Sequence, residues 1–460
     1  MNPWLVRTVL FPAHERLKGH GTGAALREAR RWDRMSADEL AAAQLAKLRR
    51  LVEHAARHVP YYREAFARAG VGPGDLGRPE DLARFPTLTR ADLRRRRRDL
   101  VATDRRRRMA ALATGGSTGE PVTVLVDARR AAVNTAARIR AREWWGIRMG
   151  EREAVLWASP IELTAQDRLR RLRDRLLNSR LYSAFEGSPE GLEAIAHALA
   201  RFRPQVLYGY SSSLSLLARH LLDRGSPVER LAVRAVFATA EGLAAEQRDA
   251  LGRAFRAAVG GEYGARDAGL IAHECPAGGH HILAEGMFVE VLAPDGTPVR
   301  PGARGEIVTT HLEAFGFPLV RYRTGDVGIA AAGPCACGRA LPRLAAVEGR
   351  ATDFLLALDG RLVHALGAIY VLRVLPGIAA FRVEQPAAHR VVVRAVREEG
   401  FPAGGEETIR EGMCRLLGAG LEVAVEWVAA LAPSASGKHR HVVSPVAERA
   451  FRGADAEPPP

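Results

Sequence analysis

The spacing of apolar positions divides the chain into successive textures. Over the first hundred residues apolar side chains recur at helical intervals. The segment SADELAAAQLAKLRRLVEHAARHVP opens with Ser36 three residues before Glu39, a capping-box signature, and stops at Pro60, so a long helix is expected between them. TLTRADLRRRRRDL reads as a turn followed by a short basic helix. From about residue 110 the period shortens. VTVLV (122–126), EAVLW (153–157), QVLYGY (205–210) and VRAVFAT (233–239) read as buried strands. Asp127 is placed to cap a helix over ARRAAVNTAARIRAREWW, and SSLSLLARHLLDRG and LAAEQRDALGRAF read as further helices. Strands alternating with amphipathic helices predict an α/β sheet covered on both faces.

Between residues 286 and 323 the pattern turns β-rich, and a PDG turn between apolar runs predicts a hairpin. After Gly349 the chain starts again. FLLALDGRLV predicts a second hairpin, and HRVVVRAV, EETIREGMCRLLG and LEVAVEWVAAL make a β-α-β pattern. The expected fold class is α/β: a large multi-layer N-terminal α/β region with a β-rich subdomain, plus a small C-terminal α+β domain. The expected limits are 1–105 for the helical N-terminal part of the large domain, 106–349 for its core, 350–450 for the small domain and 451–460 for a disordered tail. No internal repeat is visible.

Composition narrows the classes. The chain has 460 residues, 47% of them hydrophobic, which is ample for a large core. No run of about 18 uncharged apolar residues offers a membrane-spanning helix. The opening MNPWLVRTVLFP has a charge inside a short apolar stretch and no cleavage signature, so a cytoplasmic location is the expectation. The net charge of +15 and the arginine runs at 94–98 and 105–108 invite a nucleic-acid reading. The runs are not interleaved with aromatic residues and no groove-reading motif accompanies them, so nucleic acid is not the expected partner. Of the 67 lysines and arginines only Lys18, Lys47 and Lys438 are lysine.

Two constellations carry chemistry. ATGGSTGEP (113–121) sets glycines, threonines and a serine just before the strand VTVLV. Glycines let backbone N–H groups converge on an anion and hydroxyls add donors, which suits a phosphate. The loop lacks the G-K-[ST] ending of the P-loop and precedes its strand where a P-loop or Rossmann loop follows one, so those folds are disfavoured. Cys275, Cys335 and Cys337, with a histidine of the segment GGHHI, make a Cys₃His set suited to tetrahedral structural zinc with no open position. Cys414 lies in an amphipathic helix and reads as core.

The motif ATGGSTGEP closely resembles the nucleotide loop of the adenylate-forming enzymes, which include the acyl-CoA synthetases. Further stretches follow in that family's order: YGARDAGLIAHEC (263–275), VRYRTGD (320–326), VEGRATDFL (347–355) and SGKHR (436–440). HVPYYREAF and FPTLTRADLR look like the N-terminal helices of its phenylacetate–CoA ligase-like branch, and the nearest likeness is to members linked to capsular-polysaccharide loci. The resemblance implies an acyl-CoA synthetase-like fold and an AMP-forming acid–thiol ligase. A carboxylic acid would attack the α-phosphorus of ATP, and a thiol, that of coenzyme A or of a carrier protein, would take the acyl group. It further implies that Thr114, Gly115, Gly116, Ser117, Thr118 and Gly119 hold the β- and γ-phosphates. Tyr263 and Gly264 would lie near the adenine, Asp267 at Mg²⁺, Asp326 at the ribose, Arg350 at the ribose or a phosphate, and Lys438 at the carboxylate, the α-phosphate and the ribose. Tyr208, Tyr210 and Glu241 are candidates for the acyl or adenine pocket. Several members of the branch carry a metal near the cysteines, and the alignment of GHHI favours His281 over His280 as the fourth ligand. The chain departs from the usual pattern at Glu120, where many relatives have lysine, at Asp267, where many have glutamate, and at the hinge. There Thr352 stands at the usual acidic position and Asp353 follows, so the hinge is placed at 350–353 without a single pivot. An adenylyltransferase that leaves AMP on its substrate, a non-catalytic protein on the same fold, and a homodimer all stay open.

Overall fold

The computed structural model describes residues 1–104, 109–114, 122–157, 168–182, 189–224, 231–350, 354–373, 375–431 and 442–452. The long helix runs Ala37–His58. The Ser36 hydroxyl accepts from Glu39 N and the Glu39 carboxylate accepts from Ser36 N, closing the capping box. Pro60 opens the next helix, Pro60–Ala69. The basic helix spans Arg90–Arg95, capped by Thr89 and Asp92.

A short hairpin pairs β1 (Ala110–Thr114) with β2 (Val122–Val126), Thr114 opposite Val122. The sequence pattern gave no sign of β1. Asp127 then caps the helix Ala128–Glu143, accepting from Arg130 N at 2.8 Å. Five parallel strands follow: β3 (Glu153–Leu156), β4 (Ser179–Tyr182), β5 (Val206–Tyr210), β6 (Ala235–Thr239) and β7 (Ala258–Ala265). The sheet continues antiparallel through β8 (Gly269–Glu274), β9 (His280–Ile282), β10 (Met287–Leu292), β11 (Arg304–His311), β12 (Tyr322–Ala330) and β13 (Arg343–Arg350). Its spatial order is β10-β11-β12-β13-β9-β8-β7-β6-β5-β3-β4. The β10/β11 hairpin is present. Its second strand begins at Arg304, so the connection is longer than the PDG turn alone.

Alternation along the strands sends side chains to two covered faces. Leu156, Leu207, Val236 and Ala238 pack with Leu214, Leu217, Leu251 and Phe255 of the helices Ser211–Asp223 and Ala245–Phe255. Val206, Ala235 and Phe237 face the other way, against Trp145 and Ile147. The N-terminal helices and the antiparallel half share a second core, from Leu48, Tyr62 and Phe85 to Ile271, Phe317 and Tyr322.

The C-terminal part has its own core, drawn from Leu355 to Val442. A hairpin of β14 (Phe354–Leu356) and β15 (Leu362–His364) precedes a four-stranded sheet. That sheet is β16 (Ile378–Ala387), β17 (Arg390–Arg397), β18 (Glu422–Trp427) and β19 (Val442–Val443), ordered β18-β17-β16-β19. Phe354 and Ala447 pack on Val327 of β12, a small apolar contact back to the large sheet. The last helix, Pro445–Arg452, runs two residues into the stretch expected as a disordered tail. Ala447, fully buried on its inner side, gives that helix a packed face.

A buried ionic cluster joins the N-terminal helices to the sheet. Arg140, fully buried, donates to Asp33 at 2.6 Å and to both oxygens of Glu285 at 2.9 and 2.7 Å. Lys47 meets Glu28 at 2.6 Å, Glu313 at 2.8 Å and the Glu285 carbonyl at 2.7 Å. Burial pushes the Glu285 carboxyl above its usual range, and Arg140 and Lys47 oppose that shift. Arg140→Ala strands a buried carboxylate and should cost about 3–5 kcal/mol, read as a lower denaturant midpoint. An unchanged midpoint would show that the cluster is not coupled to folding.

Candidate functional site

The segments YGARD and RYRTGD lie about sixty residues apart and meet across the sheet. Tyr263, in β7, donates to Asp326 Oδ2 at 2.8 Å. Tyr322, opening β12, donates to Asp267 Oδ2 at 2.7 Å. Each segment thus supplies a tyrosine that holds the other's aspartate, and all four side chains are buried. Local folding sets this up. Gly264 lets β7 and β8 close, since a Cβ there would stand 2.8 Å from the Gly269 carbonyl oxygen. Gly325 takes φ +76°, which favours glycine, at the irregularity where β12 slips register against β11. Thr324 Oγ1 donates to the Ile307 carbonyl at 2.7 Å and accepts from Asp326 N at 3.0 Å. Asp326 is paired in register with Arg350, the last residue of β13.

Positive charge surrounds Asp267. Arg90 Nη1 lies 3.6 Å from its Oδ2, and Arg130 donates to its backbone carbonyl. Arg130 is buried, its Nε and Nη1 have no hydrogen-bond partner among the described residues, and burial pulls its guanidinium down to about 10 against the pull of Asp267 and Asp127. Asp267 Oδ1 accepts from Ala268 N at 3.0 Å, within its own segment.

One residue before Tyr263, within β7, Glu262 is held by Arg138 at 2.9 and 3.0 Å and by the hydroxyl of Tyr208, within β5, at 2.8 Å. Burial opposes its ionisation, yet Arg138, Arg142 and His273 bring the carboxyl down to about 2. Trp157 stacks on Tyr210 with centroids 4.3 Å apart, and Arg142 lies 5.0 Å over Tyr208. Glu241 accepts from Ser212 N at 2.9 Å, capping the helix after β5. Tyr208 and Tyr210 thus stand in β5, and Glu241 just after β6.

The four expected metal ligands come together. Donor atoms of Cys275, His281, Cys335 and Cys337 lie within 4.8 Å of one another. Two thiolates on tetrahedral zinc, at about 2.3 Å each, stand roughly 3.8 Å apart. Cys275 Sγ and Cys335 Sγ stand 3.7 Å apart, and His281 Nε2 lies 3.2 Å from Cys337 Sγ. His281 Nδ1 is 3.3 Å from the Leu341 carbonyl, the contact that leaves Nε2 to face an ion. Burial, with the adjoining thiols, pushes Cys275 up to about 12. The set fits zinc. His280 is outside it, its Nε2 toward Gly261.

Gly115, Gly116, Ser117, Thr118, Gly119, Glu120, Thr352, Asp353 and Lys438 lie outside the described residues. Thr114 and Arg350 are described through their strands alone. Sequence reasoning passed over Tyr322, Arg90, Arg130 and Glu262. Tyr322 stood inside a quoted motif but was given no role, and Glu262 directly precedes one.

No family model matches the chain. Its architecture is that of the acyl-CoA ligases of the adenylate-forming family. The structure of 2-hydroxyisobutyryl-CoA ligase in the postadenylation state superposes with a TM-score of 0.69 at 22% identity, covering 90% of this chain and 91% of the other. In sequence the chain is similar to phenylacetate–coenzyme A ligases. The Thermus thermophilus enzyme is 28% identical over 366 residues, 74% of this chain and 77% of the relative. The Escherichia coli enzyme is 26% identical, over 70% of this chain and 73% of the relative. Protein CapK of Staphylococcus aureus is 25% identical over 54% of this chain and 53% of its own length.

The Glu262 pair gives a pH test. A carboxyl held near 2 in the folded protein and at its ordinary value when unfolded stabilises fully above about pH 4.5 and progressively less as pH falls toward 2. The stability gap between the wild type and Glu262→Gln should therefore be widest at neutral pH and close below pH 4.5. Denaturant midpoints of both at several pH values would show it, and a constant gap would contradict it.

Proposed function

We propose that the protein activates a carboxylic acid with ATP, releasing pyrophosphate, and then passes the acyl group to the thiol of coenzyme A. The observation that carries this reading is the crossed pair Tyr263–Asp326 and Tyr322–Asp267. It joins two segments that resemble nucleotide-binding motifs into one buried acidic pair, in a chain similar in sequence to phenylacetate–coenzyme A ligases.

The problem to be solved is electrostatic, because an anionic carboxylate must approach an anionic phosphate. Thr114, Gly115, Gly116, Ser117, Thr118 and Gly119 would hold the pyrophosphate end with backbone and hydroxyl donors. Asp326, its orientation fixed by Tyr263, would accept from the ribose hydroxyls beside Arg350, and Tyr263 and Gly264 would border the adenine. Among the described residues Asp267 Oδ1 accepts a hydrogen bond from Ala268 N alone, which suits the single carboxylate contact of a phosphate-borne Mg²⁺. Mg²⁺ bound there would offset phosphate charge, with Arg90 and Arg130 adding to it. Lys438 would bring a compact ammonium to the carboxylate and α-phosphate. The carboxylate oxygen bonds to the α-phosphorus and pyrophosphate leaves. The thiol sulfur then bonds to the acyl carbon and AMP leaves. Cys275, His281, Cys335 and Cys337 would hold a structural zinc that pins β8 and β9 to the turn before β13, next to the strand carrying Tyr263.

Lys438→Ala should slow single-turnover adenylation roughly 10²–10³-fold, the effect of removing one preorganised donor. A wild-type rate would remove Lys438 from the chemistry. Free AMP with a thioester is the expected product, and an AMP conjugate would point to adenylyl transfer. Purified protein should carry one zinc that Cys337→Ala loses, with a lower melting temperature. Equal zinc content in the two proteins would exclude the Cys₃His site.

A further inference from the structure

A second group of metal-ligating side chains lies away from the site described above, at the end of the long N-terminal helix. His54 and His58 are four residues apart on its last turn and share one face, with ring centroids 4.9 Å apart. Asp104 comes from the segment that passes beneath them, and its Oδ1 is 3.7 Å from His54 Nε2. One donor atom from each residue lies within 4.8 Å of the other two. We infer that His54, His58 and Asp104 bind a divalent first-row metal ion of the zinc class, independently of the thiolate site and of the proposed reaction.

The donor set is two imidazoles and one carboxylate, which suits such ions and leaves a position open. The spacing of two histidines at i and i+4 puts both rings on one side of the helix, as in helical zinc sites. A fourth donor is within reach. The Phe315 carbonyl oxygen is 3.0 Å from His54 Nε2, a few tenths of an ångström short of the roughly 3.4 Å between two donors on a tetrahedral ion at bonds of about 2.1 Å. On loading, that nitrogen would exchange its hydrogen bond with the carbonyl for the ion.

The frame around the group is fixed before any ion arrives. Thr103 N and Oγ1 both donate to the His58 carbonyl, at 2.8 and 3.1 Å, and Ala102 N donates to the Gly316 carbonyl at 3.0 Å. These bonds hold Asp104 beside the helix end. The edge of the Phe315 ring fixes His54, with centroids 5.2 Å apart at 81°. A hollow of about 250 Å³ lined by Arg50, His54, Arg129 and Phe315 gives an approach path. Both arginines contact Glu313, which they share with Lys47, so the carboxylate offsets only part of the positive charge along this approach.

The site would act as a clip. It would tie the long helix and the 102–104 segment to the Phe315–Gly316 turn. Gly316 N donates to Asp127 Oδ2 at 2.9 Å, and Asp127 caps the helix that follows β2. Occupancy would therefore stiffen the ground on which the glycine-loop hairpin stands.

The test is a Co²⁺ titration of the protein as purified, followed by equilibrium dialysis and metal analysis. The wild type should take up one ion per chain beyond any held by thiolates, and this ion should show no sulfur-to-cobalt charge-transfer band. His58→Ala and Asp104→Asn should each weaken that ion at least about tenfold, at the low end of what even an outer-sphere partner is worth. Any thiolate-bound ion should stay unchanged. Asp104 is exposed, so its variant keeps the fold intact and separates ligation from folding. Absence of the additional ion in the wild type, or unchanged uptake in both variants, would overturn the inference.

Discussion

Two crossed hydrogen bonds, Tyr263 to Asp326 and Tyr322 to Asp267, organise the site. Each links a segment at the end of the parallel half of the sheet to one in the antiparallel half. Burying two carboxylates is costly unless each finds donors, and here the donors come from the opposite segment. Neither aspartate can be placed without the other segment being in register. The glycine at 325, the irregularity in β12 and the close approach of β7 to β8 at Gly264 all serve that register.

The use of lysine in this chain follows a physical logic at Lys47. Its ammonium meets two carboxylates and a carbonyl at 2.6–2.8 Å. Three oxygens converging on one point suit a compact cation with three donors, where a planar guanidinium would spread its contacts. The same requirement arises at a phosphorus under attack, and Lys438 stands in the segment that resembles the family's lysine motif. Elsewhere arginine does the planar work. Arg138 grips Glu262 with two bonds, and Arg321 grips Glu290 likewise.

Much of the architecture was legible in the pattern of apolar residues. The capped helix from Ser36, the strands 122–126, 153–156, 206–210 and 235–239, and the helices between them follow from period and capping. β1 was not legible, because AALAT is short, alanine-rich and without β-branched residues until Thr114. The last two residues of the final helix were read as tail because RGADAEPPP is polar and proline-rich, whereas the helix's packed residue, Ala447, lies before that stretch. The site was legible in part. Motif order located Tyr263, Asp267 and Asp326, but the partners that hold them come from register, which a linear pattern does not encode. Arg90 and Arg130 were hidden for a related reason. In a chain this rich in arginine, an arginine set against the candidate site looks no different from a solvated one until its neighbours are known.

ATP–pyrophosphate exchange over a panel of carboxylic acids, run with and without coenzyme A, tests the central claim most directly. The account predicts exchange that requires a particular class of acid, needs no coenzyme A, and stops when the acid is omitted. Exchange that is indifferent to every acid, or absent with all of them, would contradict it.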